Sequence, residues 1–86
     1  MNEDVSATTA YFRDKVLPGR PYVTVALCRS VLDAPLRTQR QADGRWRTWG
    51  RVNLPDETGT RIVRVVTLPD GTLHNAFIDR GFREVR

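Results

Sequence analysis

The residue types in the first part of the chain favour an α-helix. The segment 4–17 contains mainly helix-forming residues, with Asp4 or Ser6 as the candidate N-cap. Pro18-Gly19 follows it as a combined breaker and C-cap signal. The pattern therefore predicts a first helix that ends at Pro18-Gly19.

A second helix is predicted between Pro21 and Pro35. Val23, Leu27 and Val31 are spaced at i, i+4 and i+8, so they lie on one stripe of a helix. Pro21 is tolerated in a first turn because the amide hydrogen that it lacks would have no helical partner there. The Val-Thr-Val start of the segment is equally compatible with a strand, and the length of the apolar stretch favours the helix.

After Pro35 the pattern changes to short strand-like runs that are separated by tight turns. Asp43-Gly44 divides the first two runs, and a second Asp-Gly pair in the turn 69–71 divides the last two. Asp-Gly between such runs is a strong signal for a β-hairpin. The sequence therefore predicts an α+β fold, with two N-terminal helices packed on a four-stranded antiparallel sheet. The four runs are 36–41, 45–53, 60–68 and 72–79.

The first hairpin is rich in arginine, and strand alternation decides which of its side chains share a face. A two-residue loop at Asp43-Gly44 pairs Thr38 with Trp49 and predicts an arginine-rich face that is open to solvent. Trp46 then lies on the other face, in the core under the helices. A bulged turn would shift the first strand but would leave the alternation within the second strand unchanged. The predicted arginine face consists of Arg40, Arg45, Arg47, Trp49 and Arg51.

The second hairpin has the turn sequence Pro-Asp-Gly, which is typical of a type I turn followed by a glycine bulge. This turn pairs Val63 with Phe77 and predicts that Phe77 faces the core. Ala76 is then predicted on the opposite face, together with Arg64 and His74. The one histidine of the sequence is thus placed beside an arginine.

The composition is that of one small globular domain, residues 1–86. Of these residues 40% are hydrophobic and 28% are charged. Cys28 is the one cysteine, so neither an intrachain disulfide nor a Cys/His zinc site is predicted. The acidic start lacks the features of a signal peptide, and no apolar run of about 18 residues occurs. We expect a cytoplasmic protein without a membrane span, a metal or a cofactor.

Positive charge is concentrated in the first hairpin. The formal net charge is +4, and Lys15 is the one lysine among the 14 positively charged side chains. A GC-rich genome explains that bias equally well, but the position of the arginines is more informative. The stretch from Arg37 to Arg51 contains five arginines and only one acidic residue, Asp43. The planar guanidinium suits phosphate oxygens, and Trp49 can stack on a base, so this hairpin is predicted to bind RNA.

No motif of a common enzyme class occurs, such as a Gly-rich phosphate loop, HExxH or GxSxG. Metal-independent RNA cleavage stays open, because the RNA 2′-hydroxyl is the nucleophile and the protein supplies a base, an acid and positive charge. His74 is the candidate acid or base, with Arg64 and Arg80 as candidate phosphate ligands. The alternative is that His74 is a half-buried strand residue with one satisfied hydrogen bond. Tyr11 and Tyr22 are assigned to helix packing.

The order of two helices and an antiparallel sheet resembles the RelE/ParE-like toxin superfamily. The similarity spans roughly residues 20–83 and is strongest in the last hairpin. There the pattern of a hydrophobic residue followed by R-V-V, then D-G, H-N-A-F and D-R-x-F, is similar to the end of small bacterial members of the superfamily. The residues that carry it are 62–66, 70–71, 74–77 and 79–82.

This resemblance implies a toxin that a cognate antitoxin protein holds inactive. RelE-like members cut mRNA on the ribosome with basic residues, whereas ParE-like members inhibit gyrase and cut nothing. By position, the resemblance brings forward His74, Arg64 and Arg80 as catalytic residues; Phe82 stands near the C terminus, where RelE-like nucleases often have a tyrosine. We therefore expect an RNA-interacting toxin and a metal-independent, ribosome-dependent endoribonuclease. The alternative is a non-enzymatic ParE-like inhibitor or a small protein-interaction module.

Overall fold

The computed structural model describes residues 7–83. Two short helices precede a four-stranded antiparallel sheet, which confirms the α+β prediction at this level. The first helix joins a π-helical segment, Phe12–Val16, to a short α-helical turn, Leu17–Gly19, and the second helix is Val25–Asp33. Each strand pairs with the next one along the chain. The strands are β1 Arg37–Arg40, β2 Trp46–Val52, β3 Arg61–Thr67 and β4 Leu73–Ile78.

An extended segment along β4 precedes the first helix, which is therefore shorter than predicted. The Leu73 N–H donates to the Ala7 carbonyl at 2.9 Å, and the Thr9 N–H donates to the Leu73 carbonyl at 3.0 Å. Thr9 then caps the helix, because its Oγ1 accepts the Phe12 N–H at 3.0 Å. The start of the first helix is thus fixed to the beginning of β4.

The other helix ends follow local signals. The first helix ends at Gly19, as predicted, whereas Asp4 and Ser6, the candidate caps, lie outside the described residues. The second helix begins later than predicted, after Thr24, whose hydroxyl accepts the Leu27 N–H at 3.0 Å. Within residues 7–83, neither helix is long and apolar enough to cross a bilayer.

The core lies between the helices and one face of the sheet. Of the predicted stripe, Val31 is buried and Leu27 packs against the core, whereas Val23 is buried ahead of the helix, because the helix begins only after Thr24. At Gly50 of β2 the second helix comes so close that a Cβ would lie 3.0 Å from Val31 Cγ1. Both helices and the two central strands contribute to the core with β4. Its fully buried members are Phe12, Val16, Cys28, Val31, Val63, Val65, Leu73 and Ala76.

The first hairpin closes with a glycine bulge, so the predicted two-residue loop is wrong. The Gly44 N–H donates to the Gln41 carbonyl at 2.9 Å, the Gln41 N–H donates to the Arg45 carbonyl at 2.7 Å, and Gly44 has φ +92°. The extra loop residue shifts β1 by one position, so that Arg40 pairs with Trp46. Arg40 therefore lies on the helix side of the sheet, not on the predicted arginine face.

The predicted role of Trp46 in the core is also wrong. Trp46 does share a sheet face with the core, but it is half-buried near the end of the sheet. The Arg40 guanidinium lies 5.7 Å from the centre of its ring. The shifted register and the pairing of Arg37, not Thr38, with Trp49 have the same cause, which is the three-residue loop.

The second hairpin has the predicted glycine bulge, in which Gly71 has φ +93°. Thr67 pairs with Leu73 as this turn requires, but a second bulge follows in β4. Val66 pairs with Asn75, so one additional β4 residue, His74, lies between the two pairs. The bulge shifts all later residues by one.

This shift exchanges the predicted places of two residues. Ala76 is fully buried in the core, whereas Phe77 pairs with Arg64 on the opposite face. Both predictions are wrong for one physical reason, because a bulge changes which face each following side chain occupies.

The contact at Gly50 makes a prediction about stability. We expect Gly50→Ala to lower the free energy of unfolding by about 1–3 kcal/mol, because the new methyl group overlaps Val31 and pushes the second helix away from β2. Urea unfolding measures this change. Gly19→Ala is the matched control, because a Cβ at Gly19 meets nothing within 4 Å. Equal stabilities of the two variants would contradict the close approach.

Candidate functional site

A groove of about 460 Å³ lies on the sheet face opposite the core. Strands β2 to β4 form its floor, and the start of the first helix forms one wall. Among its lining residues three are arginines and none carries a carboxylate. The lining residues are Tyr11, Gln41, Arg45, Arg47, Arg64, Val66, His74, Asn75 and Phe77.

His74 occupies the β4 bulge and is held there by the first helix. Its Nδ1 lies 3.0 Å from Thr9 Oγ1, the hydroxyl that also caps the helix. The Tyr11 ring lies beside the imidazole, with 5.2 Å between ring centres. The single hydrogen bond matches the structural alternative for His74, yet the ring also lines the groove. Since Nδ1 contacts Thr9, Nε2 is the ring nitrogen that remains for a hydrogen bond or a proton transfer with a ligand.

The surroundings of His74 favour its neutral form. Burial lowers the pKa of the imidazole below its usual value, and the positive charge of Arg45 lowers the pKa further. A histidine with a lowered pKa is unprotonated at neutral pH and can accept a proton. The groove therefore combines a base with three positive charges.

Two of the arginines each have a donor that makes no hydrogen bond. Within residues 7–83, the Nε atoms of Arg47 and Arg64 are buried and make no hydrogen bond. Arg64 is fixed by its neighbours, because its guanidinium lies 4.6 Å from the centre of the Phe77 ring and its Nε lies 3.6 Å from Asp79 Oδ2. That Asp79 distance is too long for a hydrogen bond. Buried donors that make no hydrogen bond are unfavourable, so the protein's own atoms satisfy these two guanidinium groups only in part.

Arg45 adds a more exposed charge at the edge of the groove. Its Nε lies 3.8 Å from Asp43 Oδ2, and the Arg45 and Asp43 side chains are 42% and 53% exposed. Such surface pairs are weak, because water and salt screen them. Arg45 therefore keeps most of its ability to attract an anion.

A second pocket, of about 500 Å³, shares Arg47 with the groove and surrounds Trp49. Trp49 is only 4% exposed. Phe82 stacks on its ring with 5.4 Å between centres, and the indole Nε1 donates to Asp79 Oδ2 at 2.8 Å. Trp49 lies on the predicted face, but it is no exposed platform for a base. It holds the segment after β4 against the sheet.

Asp79 balances the charge at this end of the face. Its Oδ2 accepts the Trp49 hydrogen bond, its Oδ1 accepts the Gly81 N–H at 3.0 Å, and Arg64 lies nearby. The indole hydrogen bond is the largest cause of a lowered pKa for the Asp79 carboxyl, and the bond from Gly81 and the charge of Arg64 act in the same direction.

The structure brings together four of the predicted site residues: His74, Arg64, Arg45 and Arg47 line one groove. The others lie elsewhere. Arg40 is on the helix side of the sheet, Trp49 is buried, and Arg80 is exposed after β4 and does not line the groove. Arg51 is exposed on the same sheet face as Arg47 but outside the groove.

Tyr11, which was predicted to pack within the helices, lines the groove. Phe12 is fully buried in the core, whereas Tyr11, its neighbour, is 45% exposed. The sequence has no signal for this role, because it depends on where the first helix meets β4. Tyr22 does pack against the core, and its hydroxyl accepts the Ile78 N–H at 3.3 Å.

Comparisons with family models, with curated proteins and with solved structures find no match for this chain. Function is therefore inferred from the chemistry of the groove. Among the described residues, no three His, Cys, Asp or Glu side chains lie close enough together to hold a metal ion.

The charge of Arg45 makes a prediction about His74. We expect Arg45→Gln to raise the pKa of His74, because removal of the nearby positive charge makes protonation less costly. An NMR titration measures this directly, since the sequence has one histidine. Arg29→Gln is the control, because Arg29 pairs with Asp33 on the second helix. An unchanged pKa in Arg45→Gln would show that burial alone sets it.

The Trp49–Asp79 hydrogen bond makes a prediction about stability and pH. A carboxyl with a lowered folded-state pKa stabilises the fold above its unfolded-state pKa, and this contribution is lost as the pH falls through the folded-state pKa. We expect Trp49→Phe to lower the free energy of unfolding at pH 7 by about 1.5–3 kcal/mol through the lost hydrogen bond to a charged group. The same variant raises the pKa of Asp79 toward its usual value.

Carbon-detected NMR of the Asp79 carboxyl and urea unfolding from neutral to acidic pH test both parts. Trp46→Phe is the matched control, because the Trp46 ring lies under Arg40 on the other face. The control should leave the Asp79 titration unchanged. If both variants titrate alike at Asp79, the indole does not control this carboxylate.

Proposed function

We propose that the groove binds RNA and that His74 promotes metal-independent cleavage of its backbone, as the toxin component of a bacterial toxin–antitoxin pair. One observation carries the proposal: three arginines and no carboxylate line the groove beside an imidazole fixed by Thr9, and the Nε donors of Arg47 and Arg64 make no hydrogen bond within the described residues. Guanidinium groups suit phosphate oxygens in geometry and charge. A groove with three arginines and no carboxylate favours a polyanion.

In the proposed reaction, Nε2 of neutral His74 accepts the proton of an RNA 2′-hydroxyl. The 2′-oxygen attacks the adjacent phosphorus, and the bond from phosphorus to the 5′-oxygen breaks. The products are a 2′,3′-cyclic phosphate and a 5′-hydroxyl, whose proton comes from solvent. Arg47 and Arg64 stabilise the negative charge on the non-bridging oxygens. Arg80 has no part in this scheme, because it lies outside the groove.

The proposed inhibition by an antitoxin and the proposed need for the ribosome both come from the resemblance to RelE-like toxins. An antitoxin that covers the arginine groove would block RNA and suppress the activity. The ribosome would hold the mRNA backbone in the geometry that the 2′-hydroxyl attack requires, which the isolated groove supplies only in part. A non-enzymatic ParE-like inhibitor, or a small protein-interaction module, is the alternative and enters as an outcome of the test.

We expect induced expression in bacteria to arrest growth and to create new mRNA 5′ ends. His74→Ala should lower cleavage about 10²- to 10⁴-fold, because it removes the base. Arg47→Ala should weaken RNA binding and reduce the slope of log affinity against log salt by about one. RNA end mapping and binding titrations at several salt concentrations measure the two effects.

Arg29→Ala is the control, because Arg29 lies on the second helix, away from the groove. It should cleave and bind as the parent chain does. Arrest that persists in His74→Ala without new RNA ends would favour the inhibitor. No arrest, together with binding that is insensitive to salt, would leave a protein-interaction module.

A further inference from the structure

Tyr11 is an aromatic side chain that the fold leaves in water at the wall of the groove. It is 45% exposed, whereas its neighbour Phe12 is fully buried. Among the described residues, Tyr11 and Leu36 are the exposed large hydrophobic side chains. Of these two, Tyr11 lines the groove. An exposed aromatic ring beside phosphate-binding groups is the arrangement by which proteins hold unpaired bases.

We infer that Tyr11 stacks on an unpaired base of the bound strand, so that the groove takes single-stranded RNA and rejects a duplex. This inference rests on the proposed RNA binding and deepens it by naming the substrate class. It assigns Tyr11 a binding role that is separate from the proton transfer by His74.

The position of Tyr11 relative to His74 is fixed by shared contacts. Thr9 caps the helix that carries Tyr11 and contacts His74 Nδ1 at 3.0 Å. The two rings lie 5.2 Å apart and are inclined by 34°. A base on Tyr11 therefore lies next to a backbone phosphate at His74 and the arginines. One nucleotide can use both features at once.

A duplex cannot use Tyr11 in this way. Its bases are paired and stacked on each other, so no base face is open to an additional ring. The arginines alone would bind single and double strands through their phosphates. Preference for the single strand must therefore come from the aromatic wall, and it should vanish when that wall is removed.

The test uses a fluorescent RNA oligonucleotide with 2′-O-methyl groups, which cannot be cleaved. Fluorescence anisotropy at fixed salt compares this strand, its duplex, and a strand of equal length and charge without bases. We expect the parent protein to bind the base-bearing strand more tightly than the other two. Tyr11→Leu should lower affinity for this strand by about 5- to 100-fold and leave the strand without bases unaffected.

Two control variants separate stacking from general effects. Tyr11→Phe keeps the ring and should retain the parent affinity and the single-strand preference. Leu36→Ala removes the other exposed hydrophobic side chain, outside the groove, and should change nothing. Thermal unfolding followed by circular dichroism checks that each variant folds.

The possible failures are distinguishable. If the parent protein binds neither the base-bearing strand nor the strand without bases in a salt-dependent manner, both the proposed RNA binding and this inference are overturned. If the parent protein binds with salt dependence but Tyr11→Leu has no effect, the stacking role alone is overturned. The same holds if Tyr11→Leu weakens binding of the base-bearing strand and of the strand without bases equally. Selective loss in Tyr11→Leu supports stacking even where no cleavage occurs.

Discussion

The backbone pairing of the segment before the first helix with Leu73 determines most of this site. The backbone of Leu73 forms hydrogen bonds with Ala7 and Thr9 on one side. On the other side Leu73 pairs with Thr67 of β3, and its side chain is buried in the core. A residue fixed on both sides and buried cannot shift along the strand. The β4 bulge therefore falls on His74, directly beside the helix cap.

That bulge also arranges the rest of the groove. Because it moves all later β4 residues by one, Phe77 lies opposite Arg64 and its ring supports the guanidinium. Asp79 is then near Arg64 and Trp49, where it offsets positive charge at one end of the face. The other end, around His74, has no such carboxylate among its lining residues. One part of this sheet face is thus occupied by contacts among its own side chains, and the other part is suited to binding an anion.

Local signals were enough to predict the elements, but they did not determine the register. Both Asp-Gly pairs were found at hairpin turns, yet only the second was predicted with its bulge, so Arg40 was placed on the wrong face. The His74 bulge depends on distant pairing with 7–9, which no pattern within β4 reveals. Trp49 was expected in solvent because its cover, Phe82, lies far along the chain. Strand alternation did predict that Arg45 and Arg47 share one face and that Arg64 and His74 share one, and the structure brings these four residues together in the groove.

The Thr9 hydroxyl links the stability of the fold to the chemistry proposed for His74. A hydroxyl has two acceptor sites and one donor, and the Phe12 N–H uses one acceptor site. The second acceptor site can accept a hydrogen bond from the Nδ1–H group, which is present both in the imidazolium and in the neutral tautomer whose Nε2 is unprotonated. The contact therefore persists, and the imidazole keeps its orientation while Nε2 gains or loses a proton. A carboxylate in place of Thr9 would favour the charged imidazole, whereas a neutral hydroxyl leaves the lowered pKa that a base at neutral pH requires.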